Sequence, residues 1–127
     1  MHYMIRFKSS NFDVTQEDEN PINPIYGQSL LAWAREKLAG ELELEEPDAE
    51  DWGWYTYTSF NGRSYMLGAS AELDEGKSYE WVFQVDKHRS FKEKLFGKEK
   101  MSASDECLLF FKSLFEKEPG FEGVEVE

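Results

Sequence analysis

The chain predicts a two-layer α+β fold, a mostly antiparallel sheet of about five to six strands with two main helices packed on one face. Three observations predict it. Residues 50–67 read as a β-hairpin around Asn61-Gly62, two separate segments carry apolar residues at helical spacing, and strand-like alternation recurs at both ends. The element order is β-α-β-β-β-β-α-β, in which strands outnumber helices and follow one another directly, as antiparallel sheets allow. With 127 residues, the whole span 1–127 is expected to form one domain.

Tyr3-Met4-Ile5-Arg6-Phe7-Lys8 alternates and reads as the first strand. The polar stretch from Asn11 to Pro24, with Asn20-Pro21 and Asn23-Pro24, reads as a loop. A helix is expected from Tyr26 to Ala39, because Leu30, Leu31, Ala34 and Leu38 form one stripe and Gly40 stops it. Trp33 flanks that stripe. Glu41-Leu42-Glu43-Leu44-Glu45 has period two and reads as a short charged edge strand ended by Pro47.

A two-residue type I′ turn at Asn61-Gly62 fixes the hairpin register. It pairs Phe60 with Arg63, Thr58 with Tyr65, Thr56 with Leu67 and Trp54 with Ala69 on one face. Tyr57 with Met66 and Tyr55 with Gly68 fall on the other. Large residues meet small ones across the strands, pairs that contribute about 0.2–1 kcal/mol each. After the polar break Asp74-Glu75-Gly76-Lys77, Tyr79, Trp81, Phe83 and Val85 share one face of a further strand. The second main helix starts at an N-cap, Ser104, and ends at Pro119-Gly120, with Cys107, Leu108, Phe111, Leu114 and Phe115 as its stripe. Phe121 to Val126 supplies a last strand.

Composition bounds the function. One cysteine, Cys107, rules out an intrachain disulfide and is expected to be a buried, inert thiol. No signal peptide and no apolar run long enough for a membrane span are legible, so a cytoplasmic location is expected. Net charge is −12, with 26 acids against 14 bases, a field that disfavours nucleic acid and anionic membranes and attracts basic partners. The charge is lopsided: residues 41–51 hold seven acids and no base, whereas residues 87–100 hold six bases against two acids.

Catalytic chemistry finds little support. A structural zinc site needs four Cys or His ligands, and the chain has three such residues, so no metal site is expected. His88 sits between Lys87 and Arg89 with no orienting partner. The pair Glu50-Asp51 before Trp52 suggests a glycosidase-like carboxylate pair, but adjacent acids diverge and no second carboxylate faces them across a cleft. In the basic segment, Phe91, Leu95 and Phe96 read as the docking face of a short amphipathic helix whose lysines meet water.

The string Glu50-Asp51-Trp52-Gly53-Trp54, the Asn-Gly hairpin and Phe83-Gln84-Val85-Asp86-Lys87-His88-Arg89-Ser90 resemble a family of small bacterial proteins of unknown function, over residues 40–118. That resemblance implies no activity. The leading expectation is therefore a non-enzymatic acidic protein that binds a basic protein partner, in the manner of an inhibitor or immunity-type protein by charge and size alone. Glu45, Glu46, Asp48, Glu50 and Asp51 would form its rim and Trp52 its aromatic anchor. One rival is a small-molecule or catalytic pocket between sheet and helices, lined by Trp54, Tyr57, Tyr65 and Trp81. Another is a subunit of a self-associating assembly, joined through the acidic 41–51 and basic 87–100 segments. No cofactor is expected.

Overall fold

The computed structural model describes residues 3–73 and 78–127; the polar break at 74–77 and the N-terminal Met1-His2 lie outside the described residues. The described residues form six strands, β1 (Tyr3–Ser9), β2 (Asp48–Glu50), β3 (Gly53–Phe60), β4 (Arg63–Leu73), β5 (Tyr79–Lys87) and β6 (Glu122–Val126). The helices are α1 (Gln28–Lys37), α2 (Phe91–Leu95) and α3 (Glu106–Glu116), with one 3-10 turn at Val14–Gln16. The strands form one open sheet in the order β2-β3-β4-β5-β1-β6, and every pairing is antiparallel.

The hairpin register is the expected one throughout, from Phe60↔Arg63 to Trp54↔Ala69. Asn61 and Gly62 both hold positive φ, 49° and 79°, the backbone a type I′ turn requires. One sheet face carries Ile5, Phe7, Trp54, Leu67, Ala69, Trp81, Phe83 and Val85, all buried, under α1 and α3. The helices contribute Leu30, Leu31 and Ala34 from α1 and Cys107, Leu108, Phe111 and Phe115 from α3. Aromatic rings fill the gap: Phe83 lies 4.9 Å from both Phe111 and Phe115, and Phe7 stacks on Phe121 at 4.3 Å. Trp33 closes the edge of this cluster against Phe12, Phe115 and Phe121. Cys107 is fully buried, as its place in the stripe implies.

Three local expectations need correction. The run 41–45 makes no regular strand; the edge strand forms after Pro47 instead, at Asp48–Glu50. Leu42 and Leu44 are buried inward, and the stretch is tied to β3 by the bridge Leu44↔Thr58 and by the hydroxyls of Thr56 and Thr58, which donate to the carbonyls of Glu45 and Glu43. The cap of α3 is Asp105 rather than Ser104, because the carboxylate reaches two amides, those of Cys107 and Leu108.

The third correction concerns α2. Phe91, Leu95 and Phe96 do not dock on the core; they are 81, 66 and 63% exposed. Polar ties hold the helix in place instead. Arg63 grips Glu93 through two nitrogen–oxygen contacts of 3.1 and 2.8 Å, and Ser90 and Glu93 form a reciprocal capping box.

Candidate functional site

Neither α1 nor α3 covers the other face of the sheet, which is bordered only at one end by Lys94 of α2, beside Tyr57, Met66 and Asp86. Its central rows run Tyr57–Met66–Asp86, Asp48–Tyr55–Gly68–Gln84–Met4 and Ser70–Val82–Arg6 across the strands. The side chains alternate with the buried set, so these residues share the uncovered face. Tyr57 is 47% exposed there.

Trp52, at the turn between β2 and β3, folds back over this face. A Cβ on residue 68 would sit 2.5 Å from Trp52 Cη2, so only glycine at that position lets the indole lie on the sheet. Trp52 as a whole stays 38% exposed. Beyond it opens a shallow pocket of about 390 Å³, walled by Trp52 with Arg6, Ser70, Glu80, Val82 and Gln84.

The turn that carries Trp52 is clamped from behind. Buried Asn20 donates from Nδ2 to the carbonyls of Glu50 and Gly53, at 3.1 and 2.9 Å, and its Oδ1 accepts from the amides of Ile22 and Asn23. Asn23 donates to the Asp51 carbonyl, and Trp54 Nε1 donates to that of Ile25. Gly53 passes so close to β4 that a Cβ there would lie 2.4 Å from the Ala69 carbonyl oxygen. The Trp-Gly-Trp string is thus a switchback: one indole goes under the helices, the other onto the open face.

The acids divide between two sides of the edge. Asp48 and Glu50 pair across β3 with Tyr55 and Gly53, which puts them on the open face with Trp52. Asp48, burial and the neighbours Tyr57 and Glu50 push the Tyr55 hydroxyl above its ordinary pKa. Asp51 is exposed at the turn tip, and Glu45 is exposed along the edge. Glu46 turns the other way and lines a groove of about 690 Å³ between α1 and the 43–47 stretch. Five of the six residues expected to form a rim and anchor are therefore contiguous along one sheet edge, and Glu46 opens onto the helix side.

The four aromatics expected to line a pocket are not brought together. Trp54, Tyr65 and Trp81 are buried beneath the helices, whereas Tyr57 is on the opposite face, since odd and even residues of a strand point apart. Their polar ends are also spent, on the carbonyls of Ile25 and Ser9 for the indoles and on Asp105 for Tyr65. Among the described residues, no group of three or more His, Cys, Asp or Glu side chains is arranged to hold a metal ion. No helix of the described residues is long and apolar enough to cross a membrane.

Sequence reasoning overlooked Asn20 and Gly68. Asn20-Pro21 reads only as a turn, and a strand glycine signals a close approach without saying by what. An α+β protein with an open sheet face and an acidic, tryptophan-bearing edge is the class these features define. No protein-family model, no curated protein and no solved structure matches the chain, so geometry alone carries the functional reading.

Proposed function

We propose that the chain is a non-enzymatic binding protein that engages a basic protein partner along the β2 edge. The supporting observation is the seat of Trp52: a half-open indole, braced on Gly68, beside the carboxylates of Asp48 and Glu50. A braced aromatic ring ringed by charge is the usual make-up of an interface hot spot. Its ring face can also take a lysine or arginine of the partner. Asp51 and Glu45 extend the negative rim, which steers a cationic surface toward the anchor. An inhibitory, immunity-type role is one use of such an edge.

The test compares the protein with its Asp48→Asn/Glu50→Gln/Asp51→Asn/Trp52→Ala variant, both immobilised, in capture from native extract. A basic protein held by the wild type, released by salt and lost from a folded variant supports the reading. Its rim-acid variants should then associate more slowly and with a flatter salt dependence. The same proteins retained at the same salt by both forms would overturn it.

A further inference from the structure

We infer that the exposed tip of α2 docks, in solution, into the acidic groove between α1 and the 43–47 stretch of a second copy of this chain. This goes beyond the β2-edge reading and uses different residues, except that Glu46 stands near both. Two unpartnered surfaces on one molecule carry the inference.

The first is the tip. Phe91, Leu95 and Phe96 face water although nothing in the fold requires it, for the helix is held by Arg63–Glu93 and its capping box. Lone exposed apolar residues are ordinary, but three large ones within six positions form a patch. Around them Lys92, Lys94, Lys98 and Lys100 make no ion pair among the described residues. The patch is therefore apolar with a positive margin.

The second is the groove, whose volume of about 690 Å³ lies within the range of well-formed binding clefts, roughly 300–1,000 Å³. Ala32, Ala39 and Pro47 give it apolar wall. Its charge is five carboxylates against one guanidinium, Arg35, which donates to the Leu44 carbonyl. Glu17 is committed to the start of α1, where it accepts from the amides of Gly27 and Ser29, and Glu43 accepts from Gly40. Glu36 and Glu46 have no such partner among the described residues and are exposed at the groove. Apolar wall with negative margin complements apolar tip with positive margin.

Because tip and groove are different surfaces, the contact is head-to-tail, and a dimer keeps one free tip and one free groove through which it can grow. That gives a decisive test. The tip variant Phe91→Ser/Leu95→Ser/Phe96→Ser keeps its groove, and the groove variant Glu36→Lys/Glu46→Lys keeps its tip; all five positions are exposed, so both should fold. In sedimentation velocity over rising concentration, the wild type should form dimers and longer species, and each variant alone should show at least a tenfold loss of association. An equimolar mixture of the two should recover a one-to-one dimer that grows no further. A wild type that stays monomeric throughout overturns the proposal, as does a mixture no more associated than its parts. So does a monomeric wild type whose tip instead binds anionic phospholipid vesicles, since the tip then belongs to a lipid surface. Loss of β2-edge capture leaves this result untouched, because neither variant alters Asp48, Glu50, Asp51 or Trp52.

Discussion

The Tyr65 hydroxyl donates a 2.8 Å hydrogen bond to Asp105 Oδ2, joining the middle of the sheet to the start of α3. Asp105 is buried and does three things at once. Oδ1 caps the amides of Cys107 and Leu108, and Oδ2 also meets Lys87 Nζ at 3.1 Å. Removing it strands a buried hydroxyl and two amides and leaves the largely buried Lys87 ammonium only its 3.5 Å contact with Glu99. Breaking a buried pair from one side costs roughly 3–5 kcal/mol, a large part of the ~5–15 kcal/mol that holds a typical domain. Asp105→Ala should therefore lower stability by about that amount in urea unfolding. Asp105→Asn, which keeps an acceptor for the cap, should cost less, and Tyr65→Phe least, about 1–2 kcal/mol. Equal losses for all three would show that Asp105 is not a shared hub.

The same site predicts sensitivity to alkali. Burial first, then the hydrogen bond to Asp105, holds the Tyr65 hydroxyl far above its ordinary pKa, and burial does the same for the Cys107 thiol. In the unfolded chain these groups ionise near 10 and 8.5. Their stabilising contribution is complete below those values and is lost as pH climbs past them, because only the unfolded state then sheds protons. Stability should be level from neutral pH to about 8 and fall above about 9. Tyr65→Phe should flatten the fall above pH 10, each linked proton being worth up to ~1.4 kcal/mol per pH unit. Urea midpoints across pH 7–11 check this, and identical slopes for the two proteins would refute it.

Much of this frame was legible beforehand, and the reason is local. Asn61-Gly62 dictates a turn, the turn dictates register, and register assigned Tyr65 and Leu67 to the face of Thr58 and Thr56 without knowledge of the rest of the chain. The stripes of α1 and α3 were legible for the same reason, since periodicity reports burial directly. What stayed hidden depends on neighbours distant in sequence. The Ser90-x-x-Glu93 box marks a helix start, but not that Arg63, 30 residues away, would hold α2 and leave Phe91 in water. Aromatic character groups Tyr57 with Trp54, but strand parity puts them on opposite faces. The edge acids were visible as a run; the side each faces depends on the interruption at Pro47.

Asn20 offers a test of the clamp behind the candidate site. Its amide satisfies two carbonyls and its oxygen two amides, all near the turn that carries Trp52. Asn20→Ala leaves these groups without partners, which should cost about 1–3 kcal/mol. Partner capture should weaken as well, since Trp52 loses its support. Asn20→Asp keeps the acceptor but sets a carboxylate against the carbonyls of Glu50 and Gly53, so it should rescue little. A neutral Asn20→Ala would mean that the turn is held by β2 pairing alone.

Gly68 tests the seat itself. Alanine there suits an ordinary strand, but its methyl would occupy the place of the Trp52 ring edge. The flexible indole should swing outward rather than the sheet distort. Gly68→Ala should therefore raise acrylamide quenching of the exposed tryptophan fluorescence, while the urea midpoint moves little. Trp54 and Trp81 are buried and Trp33 is packed among aromatic rings, so the change can be assigned to Trp52 through a Trp52→Phe control. Unchanged quenching would mean that the ring does not rest on the sheet in solution.

The Arg63–Glu93 tie governs α2 independently of the core. The Arg63 guanidinium, helped by the Ser90 amide, pulls the Glu93 carboxyl down to about 2. A free glutamate titrates near 4.3, so the tie is complete above that value and is lost as pH falls toward 2. Amide exchange, corrected for the intrinsic rate, should show α2 losing protection between about pH 4 and 2 ahead of α3. At neutral pH, Arg63→Ala or Glu93→Gln should reproduce the loosening, speeding tryptic cleavage after Lys92 and Lys94 while β4 and β5 remain intact. Because Phe91, Leu95 and Phe96 contribute little burial, their replacement by serine should leave cleavage unchanged in the monomer. Faster cleavage from the serine variant than from Glu93→Gln would instead mean that apolar packing holds the helix.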